Sequence, residues 1–385
     1  MTRNRFALLF LLAAGVVATL LFLAGRGTGP ESVPNGPVIA TLTVPAIHEG
    51  FGLDEQGAEQ GNGETSYATQ LIRGLSIDGC EAPDLTERYS NEQLETLLEE
   101  SGVTLSKSTE PDFLVAAALL TRDADERQSL LERALDERPG HPVALWHRLV
   151  NCQTRDCDRE AVESAALAGD PTNGMIWFLI ASDRIKNGQW DAAEDAMRQV
   201  AAAPRYSFYF MEYTTLLERG LAATSDLGYA ERVVGGIGIA AAIAIPALGD
   251  VSGACRSGDN DAMVWVDLCE EVGQRMSASE EELMTTMFGY GLQSGAAKRA
   301  GDEARAEILK REGNDRVNGL HREQAQTGAQ VLMMNDPQVL QSYVENFLAH
   351  GELEAMNRLI ADARRLRADP GYDQCNFVAN PYTQL

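Results

Sequence analysis

The sequence predicts an all-α protein made of stacked helical hairpins, and three observations support this prediction. From Ser90 onward the chain has almost entirely helical character, beginning with "SNEQLETLLEE", where Ser90 and Gln93 have the spacing of a capping box. Prolines that each follow an alanine-rich helix recur 32 and 33 residues apart, at Pro139, Pro171 and Pro204. A hairpin of that length exposes an apolar side that it cannot bury alone, so it needs neighbouring hairpins.

Ahead of the helical part, residues 1–26 are predicted to form a transmembrane helix that acts as a signal anchor. Arg3 and Arg5 precede an uncharged run from Phe6 to Gly25, which is long enough to cross a bilayer. The run lacks a good cleavage site, so an uncleaved anchor is favoured over a cleaved signal peptide. The arginines favour a cytoplasmic N-terminus. We therefore expect a single-pass protein of the bacterial inner membrane, with the lipid bilayer as one partner and most of the chain in the periplasm.

Residues 27–89 have the composition of a linker. The stretches "GTGPESVPNGP" and "DEQGAEQGNGE" are rich in glycine, proline, asparagine and acidic residues. Between them, "VIATLTVPAI" is apolar and β-branched, which fits either a lone strand or an extended segment that lies on the next domain. We expect the helical domain to span residues 90–370 and a C-terminal tail to span residues 371–385.

The six cysteines predict disulfides if the chain is exported to an oxidising compartment. Two close pairs are the first candidates, Cys152 with Cys157 and Cys255 with Cys269, and Cys80 and Cys375 remain. Sequence alone does not select the connectivity. If the close pairs form, a bond between Cys80 and Cys375 would bring the two ends of the helical array together.

Composition also restricts the partners and cofactors. With 57 acidic and 32 basic residues the net charge is −25, which disfavours general binding to nucleic acid or to anionic lipid and favours a neutral or basic partner. Neither cysteine pair has the spacing of a zinc or redox motif, and the five histidines are scattered. We expect neither a metal nor another cofactor.

One hairpin shows the repeat most clearly, in "WFLIASDRIKNGQWDAAEDAM" from residue 177 to residue 197. The slightly longer segment of residues 174–204, which contains this stretch, resembles the tetratricopeptide repeat, a helix-turn-helix unit of about 34 residues. The resemblance is carried by a large aromatic and a small residue in each helix and by a glycine in the turn, which are Trp177, Ala181, Gly188, Trp190 and Ala193. The match weakens after Met197. The resemblance implies a tetratricopeptide-like α-solenoid.

Looser copies of the hairpin flank this unit and extend the resemblance to about half of the chain. The preceding unit keeps Ala166 and Pro171, but the segment between Cys152 and Cys157 replaces the turn glycine. A disulfide there would clamp the turn. Toward the C-terminus, Gly301 and Gly351 occupy the expected turn positions.

The apolar segment "ERVVGGIGIAAAIAIPALGD" leaves three interpretations open. Gly236, Gly238 and Ala241 fit the spacing of a dinucleotide-binding fingerprint, although such a fingerprint requires a preceding strand. The uncharged run over residues 233–249 has nearly the length of a second membrane span. The third interpretation is a buried helix of small residues that packs between neighbouring hairpins and is bent or stopped at Pro246.

No catalytic motif is recognised. Sequences of the G-x-S-x-G and P-loop types are absent. The stretch "TGAQVLMMN" at residues 327–335 partly resembles a motif of lytic transglycosylases, but the glutamate-serine pair that belongs upstream of it is missing. We therefore expect no catalytic activity, with a cell-wall glycan or peptide hydrolase carrying a helical positioning arm as the alternative.

Five aromatics in "RYSFYFMEYTTLL" have two interpretations. The five are Tyr206, Phe208, Tyr209, Phe210 and Tyr213. They would either line the concave face of the array as a binding surface or pack against the next helix. Stacked hairpins make an extended surface that accepts another protein. We therefore expect a membrane-tethered periplasmic scaffold or assembly factor whose partner is another envelope protein or a peptide.

Overall fold

A computed structural model describes residues 91–152, 157–243, 248–256 and 262–371. This part of the chain is all-α, with 81% of its residues in helices, which confirms the predicted class. The predicted anchor and linker lie outside the described residues, as do Cys80, Cys375 and the tail beyond residue 371.

The helices are numbered in chain order over these residues. The first half contains α1 (Asn91–Leu105), α2 (Pro111–Leu120), α3 (Ala124–Glu137), α4 (Pro142–Asn151), α5 (Arg159–Gly169), α6 (Gly174–Lys186), α7 (Trp190–Ala202) and α8 (Phe210–Thr224). The second half contains α9 (Tyr229–Ala242), α10 (Gly249–Arg256), α11 (Ala262–Ser277), α12 (Leu283–Arg299), α13 (Glu303–Thr327), α14 (Ala329–Asn335), α15 (Pro337–His350) and α16 (Glu352–Ala368).

Local sequence signals explain where many helices begin and end. Pro111 and Pro142 occupy the first helical position, where a missing amide hydrogen has no consequence. Asp123 caps α3 by accepting a 2.8 Å hydrogen bond from the amide of Glu126. The turn glycines predicted at residues 188, 301 and 351 all have positive φ, between 69° and 86°, which side chains with a Cβ rarely adopt.

Consecutive helices pack as pairs, as the predicted hairpins require. The most extensive pairs are α11 with α12, α8 with α9, α12 with α13, and α6 with α7. In the hairpin that resembles a tetratricopeptide repeat, Ala181 and Ala193 are completely buried, and Trp190 is the first residue of the second helix. The described fold is therefore consistent with a helical repeat.

The array is not a simple open solenoid, in which each repeat contacts only its neighbours. Helix α8 packs against α1 and α2, α10 packs against α6, and α11 packs against α7. A T-shaped contact between Trp190 and Trp265, at 5.7 Å between ring centroids, accompanies the pairing of α7 with α11. A second T-shaped contact joins Phe178 of α6 to Phe288 of α12 at 5.2 Å. Faces of α6, α7 and α8 are thus covered by helices that are distant in sequence, in addition to the sequential pairs.

Both predicted close disulfides are confirmed. Cys152, which follows α4, is bonded to Cys157, which precedes α5, and Cys255 is bonded to Cys269, which joins α10 to α11. Cys255 and Cys269 are completely buried. These bonds indicate an oxidising, extracytoplasmic compartment.

The apolar segment around residue 240 forms a packed helix in its described part. Helix α9 ends at Ala242, and α10 begins at Gly249. The candidate fingerprint lies inside α9 and follows α8 instead of a strand, so the dinucleotide interpretation is wrong. Gly236 has a packing role, because a Cβ there would lie 2.9 Å from the carbonyl oxygen of Thr214. None of the helices in the described ranges has both the length and the apolar character needed to cross a bilayer.

Candidate functional site

The aromatics of residues 206–213 lie mainly in the interior. Tyr206, Phe208, Tyr209 and Tyr213 are each at most 5% exposed, and Phe210 is half-buried. The Tyr206 hydroxyl donates to the carbonyl oxygen of Val200 at 2.9 Å. Of the two interpretations, their burial therefore supports packing against neighbouring helices over a binding surface.

A solvent-open groove lies along the turn edge of the array. Its volume is about 910 Å³, and it is formed by the start of α5, the end of α6 and the first residues of α7. The side chains that line it are mostly charged or polar and include Arg159, Glu160, Asp183, Arg184, Trp190 and Asp191. Gly188 and Trp190, both predicted from the repeat signature, thus lie at the groove.

The groove has a negative charge balance. Its two arginines are both bound by Glu163, which is 7% exposed: Arg159 Nε lies 2.9 Å from one carboxylate oxygen, and Arg184 Nη2 lies 2.5 Å from the other. Glu160, Asp183 and Asp191 complete the set of charged residues. Counting Glu163, four carboxylates face two guanidinium groups, so the groove favours a cationic ligand.

A second polar cluster lies where the loop before α8 meets the loop before α12. We call it the carboxylate junction, and its members are Asp170, Arg205, Glu212, Glu281, Glu282 and Glu352. Arg205 lies among three of the acids, with nitrogen-to-oxygen distances of 3.0 Å to Asp170, 3.3 Å to Glu281 and 3.8 Å to Glu212. One guanidinium group therefore faces several carboxylates.

The loop before α8 is held in place by hydrogen bonds to Asn173 and Asp170. Asn173, which caps α6, receives a 3.0 Å hydrogen bond from the amide of Ser207 and donates through Nδ2 to the Ser207 carbonyl oxygen at 2.9 Å. Tyr209 has φ of 61°, the left-handed region that bulky residues rarely adopt. Its hydroxyl donates to Asp170 Oδ2 at 2.7 Å, which holds the loop in this unusual shape.

Glu282 is the deepest member of the junction, at 3% exposure. Its carboxylate receives hydrogen bonds from the Phe208 amide at 3.0 Å and from the Ser207 hydroxyl at 2.9 Å, and it lies 3.4 Å from the Phe210 amide. Burial raises the pKa of Glu282 to about 8, and the charges of Glu212 and Glu352 act in the same direction.

Glu352, the first residue of α16, connects a third segment of the chain to the junction. Its carboxylate accepts a 2.6 Å hydrogen bond from the Leu283 amide, and its own amide donates to the Glu281 carbonyl oxygen at 2.8 Å. Burial raises the pKa of Glu352 to about 7, while the bond from Leu283 opposes that rise. The start of α16 is thereby fixed to the start of α12.

Sequence reasoning did not identify the junction. "SASEEELM" reads as an ordinary exposed helix start rich in acid, because acids are common in first turns. The aromatic segment "RYSFYF" meets Asn173 only in the tertiary structure, 34 positions away from Ser207, and neither one reveals in the sequence which glutamate becomes buried.

The remaining candidates have packing roles. The transglycosylase-like stretch forms the end of α13 and the short helix α14, whose Ala329 and Leu332 pack against α16. Buried His147 places Nδ1 3.2 Å from the Tyr213 hydroxyl. Within the described ranges, no group of histidine, cysteine and acidic side chains has an arrangement that would hold a metal ion.

Comparison of the chain with protein families, curated proteins and solved structures finds no match.

Proposed function

We propose that this protein is a tetratricopeptide-like interaction scaffold, tethered to the bacterial inner membrane by residues 1–26 and projecting its helical domain into the periplasm. Its partner is another envelope protein or a peptide, and it has no catalytic activity of its own. The observation that carries the proposal is the open, negatively charged groove at the turn edge of paired helices.

The groove suits an extended segment rich in lysine or arginine. Glu160 on α5 and Asp191 on α7 are exposed and line the groove. The half-buried indole of Trp190, next to Asp191 on α7, lines the same groove. A cation gains from carboxylates and from an indole ring together. Because Arg159 and Arg184 are already bound by Glu163, they oppose such a ligand less than free arginines would.

Two further observations support the location. The two disulfides fit an oxidising compartment, and the uncharged run from Phe6 to Gly25 fits a membrane anchor. A reporter enzyme that is active only in the cytoplasm, fused after Leu385, is expected to be inactive. An active reporter would contradict the orientation.

The alternative, a cell-wall hydrolase, would need an acid in a substrate-accessible pocket. Glu282 has the raised pKa of a general acid, but its carboxylate is buried and bound to backbone amides. It is not among the residues that line the groove. These observations favour the scaffold over the hydrolase.

Peptide binding tests the proposed groove. A fluorescent lysine-rich peptide is expected to bind the purified protein, and an acidic peptide of equal length is not. The double substitution Glu160→Lys and Asp191→Lys should weaken binding by about tenfold or more, because it removes two attractive charges and adds two repulsive ones.

A matched control uses exposed Glu132 on α3 and Glu323 on α13, which lie outside the groove. Their substitution by lysine changes the net charge equally and should reduce binding much less. Equal weakening by both double variants would mean that only net charge matters, which would contradict a groove-specific site. Hydrolysis of peptidoglycan by the purified protein would favour the alternative.

A further inference from the structure

We propose that the carboxylate junction is a proton-operated latch that joins helices α12 and α16 to the loop before α8. The latch is closed when the carboxyl groups of Glu282 and Glu352 are protonated, and it loosens when they ionise. This proposal is independent of the proposed scaffold function. It concerns how the fold responds to the pH of its surroundings.

The connection consists of three loops held by side-chain to backbone hydrogen bonds. Glu282, next to α12, binds the Phe208 amide and the Ser207 hydroxyl in the loop before α8. Glu281 binds the Tyr206 amide at 3.1 Å in the same loop. Glu352 of α16 binds the Leu283 amide. Residues 69 to 75 positions apart are therefore held together through glutamate carboxyl groups.

The close approach of the loops leaves little freedom to relieve repulsion by small shifts. Gly351 has φ of 86°, and a Cβ at this position would lie 2.3 Å from the Glu280 carbonyl oxygen. The amides of Glu352 and Leu353 donate to the carbonyl oxygens of Glu281 and Glu280 at 2.8 and 3.3 Å. Repulsion between ionised carboxylates of the junction is therefore relieved only if the loop before α12 and the start of α16 move apart.

The charges in the junction are strongly unbalanced. Five carboxyl groups face a single guanidinium group, that of Arg205. Glu212 and Glu281 are each 35% exposed, so protons reach this side of the junction from solvent. The charged and titratable groups contributed by the described elements around Glu282 and Glu352 include Asp170, Arg205, Tyr206, Tyr209, Glu212, Tyr213, Glu271, Arg275, Glu281 and Tyr343. Glu280 and His350 lie next to the junction in sequence.

Protonation keeps the hydrogen bonds and removes the repulsion. A neutral carboxyl group still accepts from an amide through its carbonyl oxygen. The ionised forms of Glu282 and Glu352 add two negative charges next to Glu212 and Glu281 in a partly dehydrated site. The folded-state pKa values of about 8 and about 7 lie above the ordinary value of 4.5. The folded state thus binds more protons than the unfolded state, and the junction gains stability as the pH falls from 8 toward 5.

Hydrogen exchange measured by mass spectrometry tests the latch in the full-length protein. After correction for the intrinsic pH dependence of exchange, peptides covering residues 205–212 and 279–288 should be protected about tenfold more at pH 5.5 than at pH 8.5. Glu282→Gln and Glu352→Gln each remove one titrating group. Each variant should show a smaller difference in protection between the two pH values.

The control is Glu354→Gln, since Glu354 lies on the same helix and forms an exposed pair with Arg358. This variant should retain the full pH dependence. If Glu282→Gln fails to fold because the side-chain NH2 donor faces backbone amides that also donate, Glu352→Gln decides the test alone. Equal protection at both pH values in the natural protein, or an unchanged difference in Glu352→Gln, would overturn the proposal.

Discussion

Arg219 of α8 and Asp112 of α2 form an ion pair across 107 positions of the sequence. The same Asp112 carboxylate also binds Arg138 and lies 3.2 Å from His141 Nε2. Helix α8 is therefore held against the first helices by a polar contact as well as by apolar packing. This contact marks the place where the described array departs from an open solenoid.

Asp112→Asn is expected to destabilise the protein by about 2 kcal/mol, because it weakens hydrogen bonds to two arginines at a site where Asp112 is only 17% exposed. Urea unfolding followed by circular dichroism measures the change. Glu110→Gln is the control, because Glu110 binds the same arginine but is 46% exposed. It should cost less than about 0.5 kcal/mol. Equal costs would mean that Asp112 does not organise this contact.

Gly289→Ala is expected to destabilise the protein by about 1–3 kcal/mol, because its Cβ would lie 2.3 Å from the Ser277 amide nitrogen and 2.6 Å from the Gly273 carbonyl oxygen. Gly291 lies on the same helix with no atom within 4 Å of such a Cβ. Gly291→Ala should therefore stabilise the protein by about 0.5–1 kcal/mol through helix propensity. Shifts of the two unfolding midpoints in the same direction would contradict the close contact between α11 and α12.

The two disulfides should contribute unequally to stability. Loop-closure entropy predicts about 3 kcal/mol for the Cys255–Cys269 bond, which closes a separation of 14 residues, and about 2 kcal/mol for Cys152–Cys157, with a separation of 5. Double serine variants, unfolded in urea with and without reductant, measure both contributions. A reductant that leaves the natural protein's midpoint unchanged under conditions that reduce both bonds would argue against a stabilising role.

His147 should make the fold sensitive to acid. Burial, with a smaller contribution from Arg127, lowers its pKa to about 4, below the ordinary 6.5. The stability that His147 contributes is therefore present above pH 6.5 and is lost as the pH falls toward 4, with about 2 kcal/mol lost by pH 5.

The substitution His147→Gln removes this titration, so the free energy of unfolding of the variant should rise by about 2 kcal/mol relative to that of the natural protein between pH 7 and pH 5, as measured in urea. His350, which is exposed at the end of α15, provides the control His350→Gln. That variant should behave as the natural protein does. A difference in stability between His147→Gln and the natural protein that is the same at pH 7 and pH 5 would contradict the prediction.

The sequence predicted the helices and their pairing because both depend on neighbours a few residues apart. Ala181 and Ala193, the small residues of the repeat signature, are both completely buried. Cys152 with Cys157 and Cys255 with Cys269 were the correct close pairs, since proximity in sequence limits the distance between them in space.

The candidate sites were harder to predict because each depends on distant segments. Tyr206 and Tyr213 carry the same aromatic signal whether they face solvent or the core, and only the packing of α8 and of the loop before it placed them inside. The groove has polar walls from α5, α6 and α7, and its polar residues also resemble an ordinary helix surface.

By itself, the sequence determined that the described chain is helical, that its helices pair in order, and which close cysteines are the first candidates for disulfides. Helical periodicity, capping residues and short loops encode these features locally. Only the tertiary structure decided that α8 returns to α2 and that Glu282 becomes buried while neighbouring Glu281 stays partly exposed. The physical reason is that the burial of a carboxyl group depends on which backbone amides reach it from segments more than 70 residues away.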